Sequence, residues 1–251
     1  MIPLRDENPI VHPPIATMAL IALNAAAWVL LQGLGTSGPL LSSICTLGLI
    51  PAELLGSAPP GLLVELGPGA RCRLGEGNWY TLVSSMFLHG GWFHIIGNMW
   101  FLWVFGDNVE DAMGPLRYLL LYLVCGLAAA GAQIASDPAS LIPMVGASGA
   151  IGGVMGAYAR LYPRARVHTL IILGFFVTTA AIPAIFMLGY WFILQLLGGL
   201  PALGGGTGGV AFWAHAGGFV AGALLAKPLV RADYLHQHLS QPRRERSRYR
   251  L

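Results

Sequence analysis

The chain has 251 residues, of which 55% are hydrophobic and only 10% are charged, and its mean hydropathy is +0.66. This composition excludes an ordinary soluble domain and indicates a polytopic membrane protein. The net charge of +3 conceals a basic C-terminus with five arginines within residues 243–250, which suits contact with anionic lipid at least as well as contact with nucleic acid.

Apolar runs predict an all-α chain in three parts. Residues 1–14 form a short cytoplasmic segment, residues 15–231 a six-helix membrane domain, and residues 232–251 a basic cytoplasmic tail. The first apolar run is interpreted as a retained span, because no small-x-small cleavage site of the usual kind follows it. The spans are predicted at residues 15–34, 92–109, 116–135, 145–161, 183–197 and 210–230.

Three stretches that connect the predicted spans are not expected to cross the membrane themselves. Residues 35–78 form a long Gly/Pro-rich connection, parts of which can lie in the membrane interface. Residues 167–181 are apolar but interrupted and rich in β-branched residues, which favours an interfacial segment. The glycine-rich run at residues 204–209 lacks the Lys-Ser/Thr of a Walker loop and is interpreted as a mobile lid.

The basic residues predict the orientation. With the N-terminus in the cytoplasm, twelve Lys and Arg residues near span ends or in the tails lie inside, against Arg71 and Arg73 outside. The positive-inside rule therefore predicts that both termini are cytoplasmic, which agrees with an even number of spans. Spans two, four and six then run from the outer to the inner side.

A serine interrupts the glycine-rich apolar run at residues 145–156. Ser148 is flanked by Gly146 and Gly149, and glycines recur along the run at four-residue spacing. This spacing leaves one helix face free of side chains, so that another helix can approach at near backbone contact. The alternative is packing alone, with the serine bonded to its own backbone.

Three other polar side chains are predicted at the depth of Ser148. At a rise of ~1.5 Å per residue, His94 and Asn98 of span two and His215 of span six fall within roughly the outermost 10 Å of the membrane. Polar groups in a membrane interior are expensive, which makes all four residues functional candidates.

These residue types suit acyl transfer. His215 lies in a second stripe of small residues, and two facing stripes would let Ser148 and His215 meet as nucleophile and general base. No carboxylate is predicted at this depth, so the pattern indicates a dyad. His94 and Asn98, with the backbone N–H of Ser148, could stabilise an oxyanion. For either side chain alone, interhelical hydrogen bonding explains its presence about as well.

Three motifs resemble those of the rhomboid intramembrane serine proteases. They are GASG at residues 146–149, HGGWFHIIGN at residues 89–98 and AHAGG at residues 214–218. The resemblance covers about residues 79–227 and implies a six-helix core with a Ser148–His215 dyad. It also implies an oxyanion site of His94, Asn98 and the Ser148 amide, with His89 in support beside a water-accessible cavity.

The chain departs from the family pattern at two places. Many rhomboids carry an aromatic residue four positions after the serine, packed against the catalytic histidine, where this chain has Gly152. Many also have Trp-Arg in the first outer loop, where this chain has Trp79 and Tyr80. The resemblance therefore leaves open what orients His215, and anchoring of the loop through that arginine does not carry over.

Other chemistry has less support. His89, His94 and His215 could bind zinc, but neither an HExxH motif nor a carboxylate accompanies them, so no metal and no other cofactor is expected. Cys45 and Cys72, both predicted outside, could form a disulfide, although two free thiols are slightly favoured.

The sequence thus predicts an intramembrane serine endopeptidase that cleaves transmembrane segments of other proteins near their outer end. Its partners would be these substrates and the lipid bilayer, not nucleic acid, and its location the plasma (inner) membrane of a prokaryote. Two alternatives stay open. One is a catalytically silent rhomboid-like protein that binds transmembrane helices, which retention of both Ser148 and His215 counts against. The other is a small transporter. The lack of inverted repeats and the lack of intramembrane carboxylates both count against it.

Overall fold

The computed structural model describes residues 1–203 and 211–240, and most of these residues are helical. The helices are α1 Ile15–Leu30, α2 Ser37–Leu47, α3 Pro51–Leu54, α4 Thr81–Ser84, α5 Trp92–Met113, α6 Pro115–Ser136, α7 Ser148–Leu161, α8 Ala184–Leu203, α9 Phe212–Leu229 and α10 Ala232–Ser240. The strands are β1 Ile2–Asp6, β2 Leu63–Gly67, β3 Ala70–Arg73, β4 Arg166–Leu173 and β5 Phe176–Pro183. The predicted lid at residues 204–209 and the arginine-rich tail at residues 243–250 lie outside the described ranges.

Helices α1, α5, α6, α7, α8 and α9 lie on the six ranges predicted as spans. Helix α6 and the Ala184–Pro201 part of α8 are long and apolar enough to cross a membrane, by length and composition alone. The strands correct the expectation of an all-α chain, because residues outside these helices build two small sheets. The number of membrane crossings and the side on which the termini lie remain predictions.

Helix α1 is shorter than its predicted span. It ends at Leu30, and Gly33 and Leu34 follow with φ of 55° and 56°. Both values lie in the left-handed region, which a right-handed helix cannot continue.

Helix α5 is longer than its predicted span, because its polar end is buried against other polar groups. The Glu110 carboxylate accepts hydrogen bonds from the backbone N–H of Ala16 at 2.8 Å and of Thr17 at 2.7 Å. These N–H groups belong to the first turn of α1, where no partner within the helix exists. Glu110 therefore caps α1 and fixes it against α5.

The two small-residue stripes face each other, as their spacing predicted. A Cβ atom placed on Gly222 of α9 would lie 1.8 Å from the carbonyl oxygen of Gly153 on α7, and one on Gly218 would lie 2.0 Å from that of Gly149. Helices α7 and α9 thus touch backbone to backbone. This contact brings the start of α7 beside the start of α9.

The predicted interfacial segment forms two strands of a three-stranded antiparallel sheet, and the N-terminal strand β1 is the third. Strand β4 lies between β1 and β5, with Ile2 opposite Leu170. The indole Nε1 of Trp100 donates to the Pro3 carbonyl at 2.5 Å, so β1 lies along α5. The β-branched residues at residues 167–182 suit strands, which explains why this apolar run is not a helix.

The long first connection is cross-linked. Cys45 of α2 forms a disulfide with Cys72 of β3, with their Cα atoms 5.3 Å apart. The slight preference for free thiols is therefore wrong, because the spacing in sequence carried no information about the β2–β3 hairpin that brings Cys72 back to α2.

Asp111, near the end of α5, binds segments from both ends of the chain. Its carboxylate accepts from the backbone N–H of Val11 at 3.1 Å and from the backbone and the imidazole of His12, both at 2.8 Å. The imidazole of His238, from α10, lies 2.7 Å from the other carboxylate oxygen. The N-terminal segment and α10 therefore lie on the same side of the helix bundle.

Candidate active site

Ser148 and His215 are in hydrogen-bond contact. Ser148 is the first residue of α7 and His215 the fourth of α9, and the Ser148 Oγ lies 2.7 Å from the imidazole Nε2 of His215. The backbone contact between α7 and α9 sets this distance, because any side chain between the stripes would push the two helices apart. This is the geometry that a nucleophile and its general base require.

The conformation of the loop before Ser148 requires glycine at position 146. Gly146 has φ +129°, which L side chains rarely adopt, and a Cβ there would lie 2.8 Å from Nε2 of His94. The Gly146 N–H donates to the carbonyl of Ser85 at 2.9 Å. Gly146 therefore lets the loop turn into α7 while His94 lies directly against it.

Gly149 has a packing role in the same turn. A Cβ there would lie 2.5 Å from the Cβ of Ala129 on α6. The residue after Ser148 thus has to be glycine for α6 to approach the start of α7.

The imidazole of His215 has a second hydrogen bond on its other side. Its Nδ1 lies 2.8 Å from Oε1 of Gln195 on α8, and the Gln195 amide donates to the carbonyl of Trp191 at 3.2 Å. The Trp191 ring lies beside the imidazole, with ring centroids 5.9 Å apart and planes tilted by 36°. It also lies 3.7 Å from the point where a Cβ on Gly152 would stand. An aromatic ring thus flanks His215 from α8, where the family pattern supplies one from α7.

His94 presents an N–H to the site. Its Nδ1 accepts from the backbone N–H of Gly90 at 3.2 Å, and because a backbone N–H can only donate, that nitrogen carries no proton. The neutral imidazole therefore bears its proton on Nε2, which lies against Gly146 next to Ser148.

Asn98 lies one turn further along α5 and is buried. Its amide Nδ2 has no hydrogen-bond partner within residues 1–203 and 211–240. A buried amide that lacks a partner in the resting protein has a donor available for a bound group.

His89 lies outside this hydrogen-bonding group. Its backbone N–H and carbonyl each bond to the side-chain amide of Gln32, both at 2.8 Å. Its ring is fully buried and packs edge-on against His94, with centroids 5.1 Å apart. His89 therefore anchors the residues before α5 to the end of α1 and supports the His94 ring.

A cavity opens directly beside Ser148. Small and apolar side chains form much of its wall, among them Gly146, Ala150, Ala214 and Met144. Within the described residues, no three His, Cys, Asp or Glu side chains are grouped so as to hold a metal ion. The arrangement offers a nucleophile, a base and N–H donors beside a space for a small group.

Gln195, Trp191 and Gln32 were missed by the sequence reasoning. Gln195 carried a usable signal, because it is an amide in an otherwise apolar predicted span, the criterion that singled out Asn98. Helix α8 belongs to no recognised motif, and His215, the partner that matters for the site, lies in a different helix from Gln195. The sequence therefore did not connect it with His215.

The sequence matches one family model, described as the Rhomboid domain, over residues 76–232. The rhomboid protease GluP of Bacillus subtilis is 33% identical over 180 residues, which are 72% of this chain and 34% of that protein. RHOMBOID-like protein 5 of Arabidopsis thaliana is 36% identical over 104 residues, 41% of this chain and 33% of that protein. The putative rhomboid protease YdcA of Bacillus subtilis is 31% identical over 90 residues, 36% of this chain and 45% of that protein. The chain thus spans between a third and a half of these relatives.

Proposed function

The chain belongs to the rhomboid family of membrane proteins, and from this membership we propose that it is a serine endopeptidase that cleaves transmembrane segments of other membrane proteins. The observation that carries the proposal is the contact of 2.7 Å between Ser148 Oγ and His215 Nε2. Neither a silent helix-binding protein nor a transporter needs a nucleophile paired with a base in this way.

In the proposed reaction, Ser148 Oγ attacks the carbonyl carbon of the scissile peptide bond while its proton passes to His215 Nε2. The tetrahedral intermediate breaks down as His215 returns this proton to the leaving amine. A water molecule, deprotonated by the same imidazole, then hydrolyses the Ser148 ester and regenerates the hydroxyl. No cofactor takes part in these steps.

The negative charge on the substrate oxygen needs donors that are already in place. Ser148 is the first residue of α7, so its backbone N–H has no partner within the helix and lies at the positive end of the helix dipole. The two side-chain donors assigned to the same oxyanion are the Nε2–H of His94 and the Nδ2 of Asn98, which has no partner in the part of the chain that the structure describes.

The proposed substrate is a transmembrane helix cut near its outer end. Ser148 lies within roughly 10 Å of the outer surface in the predicted topology. Residues 15–231 would form the six-span domain with both termini in the cytoplasm of a prokaryotic cell. Val11, His12 and His238 all bond to the Asp111 carboxylate. This shared partner supports the proposal that both ends of the chain lie on one side of the membrane.

The proposal is tested with purified protein in detergent and in liposomes. A fluorophosphonate probe should label the wild type but not Ser148→Ala, and the wild type alone should cleave a single-span test substrate. Ser136→Ala is the matched control, because its hydroxyl donates to the Gln133 carbonyl at the end of α6, outside the proposed site. Substrate binding without labelling or cleavage would instead identify a silent helix-binding protein.

A further inference from the structure

Helix α8 contributes an amide to the side of His215 that faces away from Ser148. The Gln195 side chain is 9% exposed, and its Oε1 lies 2.8 Å from Nδ1 of His215. We propose that Gln195 is a positioning residue that holds His215 in the single tautomer able to accept a proton from Ser148. This inference rests on the proposed function.

The hydrogen bonds determine which way the amide is turned. The Trp191 carbonyl oxygen can only accept, so the amide NH₂ of Gln195 must be the group that faces it at 3.2 Å. The amide oxygen then faces His215. Because that oxygen also can only accept, the proton of the neutral imidazole must be on Nδ1. The lone pair of Nε2 is therefore directed at Ser148 Oγ.

The structure explains why an amide takes this place. Within the described residues no carboxylate bonds to His215, and an ionised carboxylate would be expensive at a predicted membrane depth. A neutral amide sets the tautomer and orientation of the ring without bringing a charge. Trp191 and Gln195 lie one helical turn apart, so the same face of α8 packs against the ring and accepts the hydrogen bond from its Nδ1–H.

Removing the acceptor should impair the base and leave the substrate cavity intact, because Gln195 is not among its lining residues. In Gln195→Leu the Nδ1–H of His215 is buried without a partner, and the ring is free to carry its proton on Nε2 instead. We expect the rate of fluorophosphonate labelling and kcat to fall by roughly tenfold or more, the factor that one lost hydrogen bond corresponds to. KM should stay near the wild-type value.

Two further variants separate loss of the acceptor from loss of packing. Gln195→Glu, buried as the neutral acid, keeps an acceptor oxygen on the same stem and should retain most of the labelling rate, whereas Gln195→Met fills the space without an acceptor and should behave like Gln195→Leu. Leu194→Ala is the matched control, because the neighbouring Leu194 side chain is 42% exposed and should leave the rate unchanged.

The tautomer is measured directly by nitrogen NMR of protein labelled in histidine. The chain has seven histidines, and the difference from a His215→Ala sample assigns the signal. The comparison is made in Ser148→Ala protein, so it needs no activity and decides the role of Gln195 even if the proposed protease activity fails. We expect an Nδ1–H signal with Gln195 and its loss with Leu or Met at this position. An unchanged His215 signal in both variants, or wild-type labelling of Gln195→Met, would overturn the proposal.

Discussion

Gly222 of α9 lies so close to Gly153 of α7 that a Cβ on Gly222 would stand 1.8 Å from the Gly153 carbonyl oxygen. Backbone atoms cannot give way as a flexible side chain can. The separation of α7 and α9, and with it the separation of Ser148 and His215, therefore depends on the absence of a single methyl group.

We expect Gly222→Ala to reduce activity at least tenfold and to destabilise the protein by about 1–3 kcal/mol, the usual cost of overpacking. Gly131→Ala on α6 is the control, because a Cβ there meets nothing within 4 Å among the described residues. It should be neutral or slightly stabilising, since alanine favours helix. Thermal unfolding in detergent and cleavage assays would measure both variants. Equal behaviour of the two would contradict the close packing.

Ser148→Ala and His215→Ala should each abolish cleavage, and the double variant should be no worse than either. The two residues act as one unit, because the base has no purpose without the nucleophile. His168→Ala is a suitable control, since its imidazole bonds Glu7 outside the site. A substantial residual rate in His215→Ala would mean that the dyad is wrong.

The Cys45–Cys72 disulfide predicts a thiol count. Alkylation of the denatured protein without reductant should label Cys125 alone, whereas three cysteines should be labelled after reduction. Reduction should also lower the free energy of unfolding, by up to about 3.5 kcal/mol for a closed loop of this length. Labelling of all three cysteines before reduction would exclude the bridge.

Asp6 predicts a pH dependence of stability. Burial, with a smaller contribution from the charge of Glu7, raises the pKa of Asp6 to about 7 even though the Tyr158 hydroxyl donates to its carboxylate. The folded protein therefore binds this proton more tightly than the unfolded chain, whose aspartate titrates near 4. The contribution to stability is complete below about pH 4 and is lost as the pH rises to about 7.

Asp6→Asn should remove this part of the pH dependence. The difference in melting temperature between wild type and variant should change between pH 4 and pH 7 and be constant above that range, as measured by thermal unfolding across the series. A difference that is the same at every pH would show that Asp6 is not buried as a neutral acid.

Cleavage should occur at a small residue near the outer boundary of a single-span substrate. The cavity beside Ser148 is lined mostly by small residues, and a helical substrate must first unwind locally to expose a peptide bond. Glycines near the cut lower the cost of unwinding by up to about 1 kcal/mol each relative to alanine. Replacing them with leucine should therefore slow cleavage. Mass spectrometry of the products would locate the cut, and a site in the cytoplasmic half would contradict the proposed topology.

The outline of the site was predictable because its chemistry is concentrated in few residues. A serine and a histidine in apolar, glycine-rich runs are conspicuous, and four-residue spacing predicts close helix contact by itself. The structure adds the contact between Ser148 and His215 that this spacing implied.

The features that the sequence did not predict depend on contacts between segments that lie far apart in the chain. Periodicity cannot distinguish a short buried strand from a short helix, so the β4–β5 hairpin was interpreted only as interfacial. Glu110 and Asp111 looked like the end of a membrane span because their partners lie far away in sequence, at Thr17 and His238. Gln195 was overlooked for the same reason.

The junction on Asp111 has a consequence for how the chain could be reconnected. His238 Nε2 lies 2.9 Å from Oδ1 of Asn8, so the N-terminal segment and α10 are already neighbours. A short linker between these two segments would close this part of the polypeptide into a ring, and new ends could then be opened at Gly56 or Gly61 in the first connection, where a Cβ meets nothing within 4 Å among the described residues. The order in which the helices are synthesised would change while every contact around Ser148 stayed the same, which makes the fold a candidate for circular permutation.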